Sequence, residues 1–376
     1  MSSLNTTQSE STRHTDHRAF VPDILPIPVY AGLTIISAAI ALFFCFSVQI
    51  DHPASAAVTV MIIANANRAA LGAKSVARLI GTFIACVAMN TIFAHFVQAP
   101  WMFLLTFALW MGMCVFVSSI APNPSYAYAA TMSAITVGII GIEKMDPSGI
   151  FKNSVDRFLV VGIGIFSVWI VFGLIPAILN NFFKSHTVQN KTATPAPSPP
   201  KPINWTKALR GGLGTVFVVL IGCLFWMLTT WQDGSAMFLV YGIFTANLIQ
   251  VDEVIRVTTI AFFVVLAGIV SAFLCLFFVL PYVHGFPMLM LTLAIFLSPG
   301  FLIKYHPVYG ALSTPFLSIV VSLVSPQNLM SYNVTNYLNE ALAFIIGLGL
   351  SGLAMAWILP SSIRLPSTVS TKSLST

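Results

Sequence analysis

The stretch Ser55-Ala-Ala-Val-Thr-Val-Met-Ile-Ile-Ala-Asn-Ala66-Asn67 has a counterpart 180 residues further on, Ser235-Ala-Met-Phe-Leu-Val-Tyr-Gly-Ile-Phe-Thr-Ala246-Asn247. Each runs from a serine through apolar residues to an Ala-Asn pair eleven residues later. Two further matches keep the same order. Met102-Phe-Leu-Leu-Thr106-Phe-Ala108 aligns with Met288-Leu-Met-Leu-Thr292-Leu-Ala294, offset by 186. Asp156 stands twenty residues before Pro176, and Glu340 stands twenty before Pro360, offset by 184. The offsets drift only as short loop insertions would make them drift, so the chain reads as one unit written twice. A duplicated helical membrane unit is a common transporter plan.

Composition sets the solvent. The chain is 57% hydrophobic and 7% charged, with a mean hydropathy of +0.90. A soluble domain carries about 25% charged residues. A helix needs about 20 apolar residues to cross the hydrocarbon, and twelve candidate spans are read from the apolar runs. They lie near 27–49, 54–70, 77–98, 101–121, 125–142, 155–179, 208–230, 235–250, 255–281, 286–303, 307–325 and 338–359. The expected fold is an all-α polytopic membrane protein of two parallel six-helix repeats, at 27–180 and 206–360. Residues 1–26 read as a disordered polar tail without the apolar core of a cleavable signal. Residues 181–205 read as a Pro-rich linker, and 361–376 as a second polar tail.

Charge placement orients the chain. With the N-terminus in the cytoplasm, fourteen of the seventeen Lys and Arg residues fall on the cytoplasmic side, and only Lys144, Lys152 and Arg157 fall towards the other. Cytoplasmic loops carry such an excess, so both termini are expected inside. The basic pI of about 9.1 is thereby explained without nucleic acid. Trp101, Trp205 and Trp231 stand at span ends, where interfacial anchors belong. The five cysteines all lie in apolar spans without CxxC or Cys/His spacing. They read as packing residues, and neither metal nor cofactor is expected. Walker, nucleophile-elbow and HExxH patterns are lacking, so the chain is not read as an enzyme.

The second span of each half is short, and a matched pair of short spans points to a substrate site. Asp51, His52 and Pro53 open the first, and Asp233-Gly234 opens the second. Asn67 and Asn247 close them, either lining a path or merely capping helix ends. Asp156-Arg157 opens the sixth span and Glu340 the twelfth. An ionisable group within the membrane is a functional candidate by default, and burial moves a carboxylate towards neutrality, as proton coupling would use. The alternative for Asp156 and Arg157 is a place at the membrane interface. Arg68, Lys74 and Arg78 form a basic cluster that would draw anions, or serve only as ordinary inside charges. Gly162 and Gly164, matched by Gly347 and Gly349, read as close-packing residues that hold the halves together.

The runs Asp51-His-Pro-Ala-Ser55-Ala-Ala-Val-Thr-Val60, Lys74-Ser-Val-Ala-Arg78-Leu-Ile-Gly81-Thr82, Trp101-Met-Phe-Leu-Leu and Tyr126-Ala-Tyr128-Ala-Ala-Thr131 resemble the fusaric acid resistance (aromatic acid exporter) family. The resemblance covers most of 27–180 and, more loosely, 205–360. It implies an inner-membrane exporter of aromatic carboxylic acids, driven by the proton gradient, with Tyr128 added to the path candidates. It leaves a periplasmic adaptor protein and a homo-oligomer open as partners, beside the organic anion and the lipid bilayer. Longer family members carry cytoplasmic domains after the sixth and twelfth spans, where this chain has a linker and a tail. A passive anion channel and a non-transporting membrane scaffold are the alternatives.

Overall fold

A computed structural model describes residues 26–65, 67–143, 147–174, 204–231, 234, 236–248, 254–306 and 309–358. Among them are twelve α-helices and no strand. The first six are α1 (Ile27–Val48), α2 (Ala54–Ile63), α3 (Arg68–Phe96), α4 (Pro100–Ile120), α5 (Pro124–Glu143) and α6 (Pro147–Trp169). The second six are α7 (Trp205–Thr229), α8 (Ala236–Leu248), α9 (Val254–Phe273), α10 (Phe286–Lys304), α11 (Ser313–Val324) and α12 (Val334–Ile358). A π-helical turn extends α6 through Ile170–Leu174, and another extends α9 through Leu274–Val279.

Eight of these helices, α1, α3, α4, α6, α7, α9, α10 and α12, are long and apolar enough to cross a membrane. The other four differ in kind. α2, α8 and α11 have 10, 13 and 12 residues, which at 1.5 Å per residue reach only about 15–20 Å of a hydrocarbon layer some 30 Å thick. α5 is longer but rich in small and hydroxyl residues, from Ser125 to Thr136.

Burial separates the two sets. The long helices expose large apolar side chains such as Phe43, Phe83, Leu109, Phe166, Leu213, Phe263, Leu291 and Leu353, the surface that lipid covers. Among the described residues α2, α8 and α11 expose no large apolar side chain, and α5 only Tyr126. Ten of the twelve residues of α11 are buried. Short helices are tolerated here because neighbouring protein, not lipid, meets their ends. α2 packs on α6 and α11, and α8 packs on α12 and α5.

Helix boundaries follow local chemistry. The expected second span, 54–70, breaks after Ile63. Asn67 then caps α3, its side chain accepting from the Ala69 and Ala70 amides at 2.9 and 3.2 Å. Asparagine at this position satisfies amides that a first helical turn leaves free, so α3 starts well before the expected 77. Losing that cap in Asn67→Ala is expected to lower thermal stability by about 1 kcal/mol without changing ligand affinity. Melting and binding measured on one preparation check both halves of that expectation. Asn204 caps α7 in the same way through the Lys207 amide. At the α1–α2 turn, Gln49 and His52 both take left-handed backbone angles, φ 56° and 58°. His52 holds its angle directly before Pro53, a strained conformation that bends the chain sharply between two helices.

Small residues set the closest crossings. A Cβ on Gly112 of α4 would come within 2.7 Å of the Gly212 carbonyl oxygen of α7, and one on Gly212 would meet the Gly112 oxygen at 3.0 Å. Gly164 of α6 lies against Ala56 and Thr59 of α2, and Gly347 of α12 against the Met237 backbone of α8. The expectation for the glycines is therefore corrected in its target. Gly164 and Gly347 clasp a short helix within their own half, a Cβ on Gly162 or Gly349 would meet nothing within 4 Å, and Gly112 with Gly212 makes a close crossing between the halves.

Candidate functional site

The sequence candidates gather in two places. At the end of the bundle where α1 turns into α2, α6 presents a run of polar residues to α2 and α3. Lys152 Nζ forms an ion pair with Asp51 Oδ2 at 2.6 Å, in the open. An exposed pair of this kind contributes little to stability. Deeper, the Arg157 guanidinium donates to Ser55 Oγ, joining α6 to the serine that begins the repeated stretch. Asn90 of α3 donates to Ser154 Oγ at 2.7 Å, and Cys86 meets the Ser154 carbonyl at 3.3 Å. Three buried polar atoms along this seam have no hydrogen-bond partner: Asp156 Oδ2, Asn153 Nδ2 and Thr59 Oγ1. Such atoms are costly in a dry interior, so the seam is a place where a ligand or water gains bonds.

The second place is the interface of α3 and α5. Arg78 is 7% exposed, its guanidinium donating to the Met132 sulfur while its Nε is without a partner. Tyr128 stands beside it, its hydroxyl buried. Gly81, one turn on, lets α5 approach closely enough to enclose the arginine. Among the described residues no carboxylate pairs with Arg78. Thr82 and Ser133 add two more unpartnered hydroxyls to the same helices. A desolvated guanidinium with its Nε donor unused has the chemistry to take an anion as a partner.

The remaining candidates fall elsewhere. His52 is exposed on the strained turn. Asn67 is exposed and committed to its cap, which favours the capping reading over the path reading. Glu340 is half-buried on α12, one turn from Tyr337, whose hydroxyl donates to the Ile269 carbonyl of α9. Asp233 lies outside the described residues, and so does the side chain of Asn247 in the last turn of α8. Among the described residues no cluster of His, Cys, Asp and Glu is arranged to hold a metal.

Sequence reasoning missed a third polar group. Lys304, at the end of α10, lies over the Tyr30 ring at 4.1 Å and donates to its hydroxyl. Tyr30 in turn donates to the Ala64 carbonyl at the broken end of α2, at 3.0 Å. These residues lie 274 and 34 positions apart, and no local pattern joins them.

Helices clad in apolar side chains, eight of them long and apolar enough to cross a bilayer, define a multi-pass helical membrane protein. The chain belongs to the fusaric acid resistance protein family, whose sequence model matches residues 28–178 and again 179–370. It is similar to the p-hydroxybenzoic acid efflux pump subunit AaeB of Citrobacter koseri, 32% identical over 136 residues, 34% of this chain and 21% of that protein. The subunit of the same description from Salmonella heidelberg is 31% identical over 137 residues, 33% of this chain and 21% of the relative. The uncharacterized transporter YdhK of Salmonella typhimurium is 29% identical over 111 residues, 30% and 16% of the two chains. The chain thus aligns with about a fifth of the length of these curated relatives. No solved structure matches it.

Proposed function

We propose that this protein exports small amphipathic organic anions, aromatic carboxylic acids among them, across the bacterial inner membrane, using the proton gradient. The observation that carries the reading is Arg78, a buried guanidinium that no carboxylate of the described chain neutralises. A lone charge in a membrane interior is kept only where a partner visits it, and for a cation that partner is an anion. The relatives' description as p-hydroxybenzoic acid efflux pump subunits supports the aromatic acid as substrate, and the word subunit supports a partner protein such as a periplasmic adaptor.

The architecture belongs to the proposal as two parallel six-helix halves with both termini in the cytoplasm. Packing supports the repeat: α3 on α5 matches α9 on α11, α2 on α6 matches α8 on α12, and α5 on α8 matches α11 on α2. The twofold match of one family to the chain supports it too. The four short or weakly apolar helices α2, α5, α8 and α11 then meet at the junction of the halves. A substrate anion drawn to Arg78 and Tyr128 would pass along α2 and α6 towards Ser55 and Arg157. Asp156, whose buried Oδ2 has no donor, and Glu340 are the groups proposed to carry the proton.

Purified protein in liposomes tests this. An imposed pH gradient is expected to drive p-hydroxybenzoate movement, and Asp156→Asn with Glu340→Gln is expected to reduce the gradient-driven rate about 100-fold, the lower range for a positioned proton-transfer group. If flux ignores the gradient, or the double variant couples as well as the parent, proton coupling through these residues is wrong.

A further inference from the structure

Lys74 and Lys304 both lie towards the end of the bundle where α1 begins, and neither meets a carboxylate among the described residues. Lys304 comes from α10 in the second half of the chain, and Lys74 from the second turn of α3 in the first. Lys74 lies within electrostatic reach of Lys304. Both are half-buried. A lysine serving only as an inside charge extends its stem towards the lipid headgroups. Lys304 instead turns inward, over the ring of a tyrosine that is only 2% exposed. That ring sits among others: Phe172 and Phe301 at 6.1 Å and Tyr305 at 6.5 Å between centroids, all edge-on.

Two ammonium groups within electrostatic reach of one another repel, and among the described residues no acid pairs with either. The arrangement becomes favourable when an anion lies between them. Its aromatic floor offers apolar and edge-on ring contacts to whatever carries that charge. The Tyr30 hydroxyl couples this place to the Ala64 carbonyl, the last residue before the chain breaks between α2 and α3. Lys74 and Arg78 are four residues apart on α3, and so share one face one turn apart. An anion held by the lysines would thus lie on the approach to the buried arginine.

We propose that Lys74, Lys304 and Tyr30 form a carboxylate-binding vestibule, built jointly by the two halves, in which an aromatic acid is captured before it reaches Arg78. This deepens the export reading and rests on it for the direction of travel, but capture itself requires no gradient. The two therefore fail separately.

The test is equilibrium dialysis of labelled benzoate against the full chain in phosphatidylcholine nanodiscs, without any pH gradient. Lys304→Gln and Lys74→Gln are each expected to weaken benzoate binding about 10-fold, less than a fully buried charge pair would lose because both lysines are half-buried, and Lys304→Arg to retain most of it. Lys74 makes no hydrogen bond among the described residues, so Lys74→Gln keeps the test informative if Lys304→Gln fails to give monodisperse protein. Equal benzoate affinity in parent and folded variants overturns the vestibule and leaves the export proposal standing. Lysine-dependent binding in a protein that shows no gradient-driven flux upholds the vestibule and overturns the coupling. An effect of the lysines seen only when phosphatidylglycerol is present means that they hold a lipid headgroup, and also overturns the assignment.

Discussion

Arg78→Gln is expected to abolish efflux while leaving the protein inserted and folded. Cells carrying it should be as sensitive to p-hydroxybenzoate as cells without the gene, at equal membrane abundance. The asymmetry comes from what the substitution removes. Truncating one member of a buried ion pair strands the other charge, but among the described residues Arg78 has no carboxylate to strand. Glutamine keeps a donor near the Met132 sulfur and Tyr128 and relieves the cost of a desolvated guanidinium, so stability should hold or rise. The bound anion, by contrast, loses its charged partner, at about 2–5 kcal/mol, or roughly 30- to several-thousand-fold in affinity. Arg78→Lys should restore only part of the activity, because an ammonium cannot make the paired, planar contact of a guanidinium with a carboxylate. A glutamine variant that exports at the parent rate would remove Arg78 from the path.

The largest structural effect is expected at Gly347. A Cβ there would overlap the Met237 backbone of α8, and backbone cannot rotate aside as a side chain can. Gly347→Val should therefore force α12 away from α8 and destabilise the protein by about 3 kcal/mol or more, the upper range for overpacking. Gly349, two residues on and exposed, faces nothing within 4 Å. Gly349→Ala is expected to be neutral or slightly stabilising, through the better helix propensity of alanine. Thermal unfolding in detergent, followed by loss of the monodisperse peak, separates the two. Equal behaviour at both positions would mean that α12 and α8 do not cross as described.

The Gly347 and Gly349 contrast shows how far the sequence could be read. Small residues in matched helices announce close packing, and that much was legible. Which glycine faces a neighbour depends on helix rotation, and a two-residue shift turns a side chain through about 200°. The identity of the neighbour was also hidden, because α8 and α12 are joined through 85 residues of chain. The polar residues divide in the same way. Asp51, Ser55 and Arg157 stood out by charge and by place in the repeat, and the fold joins Asp51 to Lys152 and Arg157 to Ser55. Arg78 was visible as a charge and as a candidate to meet a substrate carboxylate, but beside Arg68 and Lys74 it could equally be read as an ordinary inside charge. Only the packing of α5 over α3 makes it an interior group. Tyr30 and Lys304 gave no signal at all, since each is an ordinary residue near a helix end.

Sequence alone determined the solvent and the family. A chain that is 57% hydrophobic and 7% charged cannot bury its apolar surface without lipid, and its Asp-His-Pro and Arg-Leu-Ile-Gly-Thr runs carry the resemblance that the family match bears out. Tertiary structure decided which helices face lipid and which charges face protein. Hydropathy sums the side chains of a segment and is blind to their neighbours. α2 and α11 are apolar enough to be read as spans, yet they are too short to cross alone and are enclosed by other helices. Their enclosure is a matter of contacts between segments far apart in the chain, which only the folded molecule brings together.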